Sequence, residues 1–122
     1  MYQSPSHLPP EARAEIAATL NARLADGLDL HSQIKVAHWN IKGPQFAALH
    51  PLFETFAVGL ALHNDTIAER AVTLGGKAYG TARHVAKVST RVTLARSGVL
   101  TSPRTAWPMR KLVVKRRRHA QV

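Results

Sequence analysis

No cysteine occurs anywhere in the 122 residues. That removes disulfides, thiolate metal centres and cysteine nucleophiles, so any bound metal must be held by histidine and carboxylate. Acidic residues are absent from a whole region. All seven lie between Glu11 and Glu69, so residues 91–122 carry nine Lys and Arg and no acid, whereas residues 1–90 hold eight bases against seven acids, 8 − 7 = +1. The formal charge of +10 therefore belongs to the end of the chain. Long apolar runs are missing too. The longest, Phe56 to Leu62, is interrupted by Gly59 and falls far short of the roughly 20 residues of a spanning helix, so no membrane partner is expected. No charged-then-apolar leader opens the chain, because Ser4, Pro5, Pro9 and Pro10 stand where its apolar core would be. The expected location is the cytoplasm.

What is present points to helices. A hydrophobic content of 45% suits one modest core. After a Pro- and Ser-containing lead-in over residues 1–10, Ile16, Leu20, Leu24, Leu28, His31, Ile34 and His38 recur at steps of three and four. This is the periodicity of an amphipathic helix, with Glu11 and Glu15 near the positive end of its dipole. Asn40-Ile41-Lys42-Gly43-Pro44 ends it, since glycine closes a helix in the left-handed conformation and proline cannot continue one. A second pattern runs from about Phe46 to Leu74 and stops at Gly75-Gly76. Phe46, Leu49, Phe53, Phe56, Leu60, Ile67 and Leu74 gather in one arc expected to form core, with His50, Glu54, Asp65 and Glu69 along its edge. Pro51 lacks an N–H, so the regular helix is expected to begin near His50. Lys77 to Thr81 reads as a loop and Ala82 to Val88 as one or two helical turns. Beyond Thr90 no periodicity persists, and Pro103 and Pro108 interrupt the segment.

His50 and Glu54 are four residues apart, as are Asp65 and Glu69, and side chains at that spacing stand one above another on a helix. Nitrogen with carboxylate oxygen suits iron, manganese or zinc, and facing helices of bundles build di-iron sites from such pairs. Either pair alone is equally at home on a solvated helix edge. The rise of about 1.5 Å per residue separates His50 from Asp65 by roughly 22 Å, against a metal–ligand bond of about 2 Å. One chain cannot close both pairs on one ion. If both serve one site, a second copy lies antiparallel across a two-fold axis.

The residues His38-Trp39-Asn40, Gly43, Phe46, His50, Asp65, Ala68-Glu69-Arg70 and Gly75-Gly76 resemble the Dps family, the DNA-binding proteins of starved cells, also called mini-ferritins. The resemblance covers about residues 14–90. It implies an all-α, ferritin-like architecture in which residues 11–90 supply the first helical hairpin of a four-helix bundle, and a homo-oligomer that is a dodecameric shell in the family. It implies a ferroxidase-type activity: ferrous iron binds between two-fold-related subunits, is oxidised preferably by hydrogen peroxide, otherwise by oxygen, and is stored as ferric mineral, which protects DNA in a cytoplasmic, nucleoid-associated setting. The ligands implied are His38, His50 and Glu54 of one subunit with Asp65 and Glu69 of its neighbour. Trp39 resembles the family's site-lining tryptophan, with core packing as its other reading. Glu54 stands where the family commonly has aspartate, and no lysine precedes Lys35, so the family's lysine-rich N-terminal arm is missing. His31 and His63 read as structural.

After Thr90 the resemblance ends, and residues 91–122 read as a basic tail of low structure. An acid-free, Arg- and Pro-rich stretch is what reading a GC-rich gene out of frame tends to give, so a frameshifted or truncated member is expected. Two other functional classes remain beside iron oxidation. One is a basic module binding nucleic acid non-specifically through Arg110, Lys111, Lys115, Arg116, Arg117 and Arg118; the other is an inactive helical hairpin.

Overall fold

The computed structural model describes residues 1–91, and three helices account for most of them: α1 (Pro10–Asn40), α2 (Phe46–Thr73) and α3 (Ala82–Val88). The tail residues Arg110, Lys111, Lys115, Arg116, Arg117 and Arg118 lie outside the described residues. α1 opens with Pro10 in its first turn, where the missing N–H has no partner to lose, and with Glu11 beside it. It ends where Ile41 turns extended, and Gly43 takes φ 98° in the connecting turn while its carbonyl accepts from the Phe46 N–H at 3.1 Å. α2 starts at Phe46, four residues earlier than expected, with Pro51 inside it. Pro51 lies so near the start that it forfeits only one intrahelical bond, and the Ala48 and Leu49 N–H groups already close a turn on the Gln45 carbonyl.

The far end of α2 is closed by glycine. Gly75 adopts φ 84°, its N–H bonds the Val72 carbonyl at 2.8 Å, and the Gly76 N–H reaches the Ala71 carbonyl at 3.0 Å, which is the Schellman arrangement. The lead-in is not loose. Tyr2 N–H donates to the Gly75 carbonyl at 2.8 Å and Ser4 Oγ to the Thr73 carbonyl at 2.6 Å, so residues 1–10 cover carbonyls that α2 leaves unpaired.

α1 and α2 pack antiparallel: Ala17 meets Gly76, Gly27 meets Asn64, and His38 meets His50. The buried residues of α2, Ala57, Asn64 and Ala71, repeat every seven positions, and on α1 Ala17, Leu24 and His38 stand seven and fourteen apart with Ala25 beside Leu24, the spacing of a coiled-coil-like seam. Alanine and glycine dominate it, so the backbones approach closely, and among the described residues no large side chain is fully buried. Here the expected core is corrected. Leu74 is buried, but Phe46 and Phe56 remain 47% and 51% exposed, Phe46 at the open end of the helix and Phe56 on an arc centred about 50° to one side of the seam. That side waits for a second layer. By length and composition α2 is apolar enough to cross a membrane, with mean hydropathy 1.2 and only 6% of the best window buried. No unbroken apolar run marks this helix in the sequence, since scattered polar residues interrupt a run without lowering the average much. The same description fits the core helix of a bundle before its partners are added.

α3 is capped by Thr81, whose hydroxyl accepts from the His84 N–H at 3.3 Å. Its far end is clasped by α1: the Thr90 N–H donates to Asp26 Oδ1 at 2.8 Å, and Ser89 Oγ donates to Asp29 Oδ2 at 2.7 Å. The Thr90 N–H is the chief cause holding the Asp26 carboxyl below its ordinary range, helped by the Thr90 hydroxyl, Arg23 and Ser89 and opposed by desolvation. A folded value below the unfolded one stabilises the clasp above the ordinary carboxylate range and ceases to do so as pH falls through the lowered value. Asp26→Ala is therefore expected to raise hydrogen exchange of the α3 amides several-fold at neutral pH, with the gap from wild type closing in acid. Equal exchange at neutral pH would show that something else holds α3.

Candidate metal centre

The turn between α1 and α2 is short, so the last turn of one helix faces the first turns of the other. This brings the rings of His38 and His50 together, with centroids 3.8 Å apart, and the Phe46 ring lies tilted against His50 at 4.7 Å. His38 is buried, and its Nδ1 lies 2.9 Å from the His50 carbonyl oxygen. A carbonyl oxygen only accepts, so Nδ1 carries the proton. In the neutral ring Nε2 then presents a lone pair, 3.4 Å from Glu54 Oε2. A histidine whose outer nitrogen is tied to a backbone carbonyl while the inner one faces a carboxylate has the arrangement metal-binding histidines commonly show.

Lys35 completes the group. Its Nζ lies 2.5 Å from Glu54 Oε2, and this hydrogen bond is the main cause holding the Glu54 carboxyl below its ordinary range, with the charge of Lys35 and the two histidines assisting and desolvation opposing. Lys35, His38, His50, Glu54 and Val58 line an open cleft of about 610 Å³ together with Pro51 and Thr55. Sequence reading missed Lys35, although it stands one turn before His38 on the same face.

Asp65 lies elsewhere. It lines a second groove of about 350 Å³ with Leu24, Leu28 and His31 of α1 and Ala61, Asn64 and Ala68 of α2. Glu69 is exposed one turn further on, and His63 is exposed as well. Among the described residues no three histidines and carboxylates of a single chain are placed to hold a metal ion: His38, His50 and Glu54 come together, but Lys35 occupies the carboxylate, and Asp65 and Glu69 are remote. The two grooves nonetheless share one flank. Glu54, Val58, Ala61, Asp65 and Ala68 line them in succession at steps of three and four, one stripe along α2.

Trp39 is 68% exposed and outside the cleft lining. Adjacent helical residues point about 100° apart, so a His38 turned toward α2 turns Trp39 away, leaving its ring 5.9 Å from Lys35 Nζ. Core packing is therefore not its role within one chain.

A family model for the ferritin-like domain matches residues 17–106, reaching past Thr90. The chain is 44% identical over 88 residues to a DNA protection during starvation protein of Agrobacterium fabrum, covering 72% of this chain and 54% of that one. It is 37% identical to DNA protection during starvation protein 2 of Bacillus anthracis, over 62% of this chain and 51% of the relative. Among solved structures, DpsC from Streptomyces coelicolor superposes with TM-score 0.70 at 41% identity, covering 72% of this chain and 51% of that one. The Dps protein of Vibrio cholerae, described as a member of a broad superfamily of ferritin-like diiron-carboxylate proteins, gives 0.72 at 28% identity over 76% and 58%. The chain thus spans about half the length of these relatives. Buried histidine beside a carboxylate, a small-residue helical hairpin and these matches agree: the chain belongs to the ferritin-like domain family and, within it, to the Dps proteins.

Proposed function

We propose that two copies of this chain bind ferrous iron between them and oxidise it, with the ferric product stored and DNA thereby spared oxidative damage in the cytoplasm. The observation that carries this is the convergence of two donor atoms, His38 Nε2 and Glu54 Oε2, to 3.4 Å of each other, on the same flank as Asp65. Laying a second copy antiparallel along the stripe from Glu54 to Ala68 brings each histidine-rich end against the partner's acidic end, twice by symmetry. Ferrous iron is here the substrate. It competes with the Lys35 ammonium for Glu54 and takes nitrogen from His38 and His50. Each ion gives up one electron, and hydrogen peroxide accepts two with two protons to give water, so two ions are consumed per peroxide; oxygen is the alternative oxidant. A borderline metal ion suits this mixed nitrogen and oxygen donor set.

Anaerobic ferrous titration tests the reading. The full chain is expected to bind iron, and Glu54→Ala to weaken binding about 10-fold or more, because one charged oxygen donor is lost. Equal binding by the variant would refute the assignment.

The nine bases and absent acids of residues 91–122 favour a second role, non-specific binding of DNA through counterion release. Deleting residues 91–122 is expected to abolish most DNA retention at low salt while leaving helical content per remaining residue equal or higher. Unchanged retention in a gel shift would show the basic run to be incidental.

A further inference from the structure

Away from the His38 end, one position in the α1–α2 seam departs from its small apolar neighbours. Asn64 is 5% exposed and neither of its amide atoms has a hydrogen-bond partner among the described residues. Opposite it, a Cβ on Gly27 would stand 2.1 Å from Asn64 Oδ1 and 3.1 Å from its Cγ, so α1 accepts this side chain only because residue 27 has none. Both choices are unfavourable locally. Glycine inside a helix weakens it relative to alanine, and an unpaired buried amide is costly. Apart from His38 at one end and Leu24, the seam is built of Ala17, Ala25, Ala57 and Ala71, and small side chains against small side chains offer little resistance to sliding. A single polar residue at a coiled-coil core position is the best-attested device for choosing one register over its neighbours.

We propose that Asn64, seated in the notch at Gly27, is a positioning residue that fixes the register of α1 on α2 and so holds His38 over Glu54. A slip of one turn displaces His38 along α2 by about 5.4 Å, beyond reach of a Glu54 oxygen that it now approaches at 3.4 Å. The link to iron rests on the function proposed above; the register claim does not.

The absence of native cysteine makes the register measurable in the full chain. Ala17 Cβ lies 2.9 Å from where a Cβ on Gly76 would be, close enough that a small outward relaxation reaches the roughly 3.8 Å separation of a disulfide. Ala17→Cys/Gly76→Cys reports the observed register, and Leu20→Cys/Gly76→Cys a slip of about one turn. Their ratio of intramolecular disulfide, read by mass spectrometry, cancels any strain common to Gly76→Cys. The observed register should dominate in an otherwise native background. Asn64→Ala and Asn64→Leu should each lower that ratio about tenfold, with helical content unchanged. Gly27→Ala, which closes the notch, should lower it too. Cobalt(II) affinity, a redox-stable probe, should fall in parallel. An unchanged ratio in both Asn64 variants overturns the proposal, as does a changed ratio with unchanged cobalt affinity. No cobalt binding even by the native chain defeats the metal reading, while the disulfide ratio still decides the register.

Discussion

Neither an Asp65→Ala/Glu69→Ala chain nor a His50→Ala/Glu54→Ala chain is expected to bind ferrous iron at the proposed centre, yet an equimolar mixture should recover about a quarter of the native capacity. The fraction follows from symmetry. Random pairing makes half the dimers mixed, and each mixed dimer contains one site with both halves intact and one with neither. The loss in each parent should exceed about 100-fold, since neither pair completes a coordination sphere. The structure sharpens this expectation: His38, His50 and Glu54 gather at one end of the stripe and Asp65 lines its own groove further along the same helix. Folded mixed dimers that bind no iron would remove the interface centre. Binding by the Asp65→Ala/Glu69→Ala chain alone would place the site wholly within His38, His50 and Glu54.

The second large effect concerns assembly. As these 122 residues, the chain is expected to associate, as a dimer or irregularly, and not to give a monodisperse twelve-subunit shell. Phe56 is 51% exposed and Phe53, Leu60 and Ile67 on the same arc are half-buried, and fully burying each such side chain contributes about 1.5–3 kcal/mol. A soluble monomer would carry these as an apolar surface beside a helix seam built mainly from alanine. Light scattering after size exclusion measures the outcome. Phe53→Asp/Phe56→Asp should reduce association beyond any dimer made through the flank from Glu54 to Ala68, because Phe53 and Phe56, with rings 6.2 Å apart, lie on the uncovered arc. A monodisperse dodecamer would overturn the expectation, and an unshifted oligomer in the double variant would move the contact to another face.

The helical hairpin was legible from residue order alone, because a period near 3.6, glycine stops and proline breaks act locally and need no partner. The loop over Lys77–Thr81 and the short helix Ala82–Val88 followed for the same reason. So did the separation of Asp65 from His50, since helix rise depends only on the count of residues between them. What lay beyond sequence reading depends on how one helix is rotated against another. Hydrophobicity singled out Leu74, which is buried, but also Phe46 and Phe56, which are not; the seam closes on Ala57, Asn64 and Ala71, since close packing of two backbones selects small volume over apolarity. Lys35 was visible only as a charge until α2 brought Glu54 to its ammonium. Asp26 was merely an acid in a helix until Thr90 folded back onto it. Residue order by itself determined the elements, the donor types and their spacing; the tertiary structure decided which flank of each helix faces its neighbour, because rotation about a helix axis is settled by contacts distant in sequence.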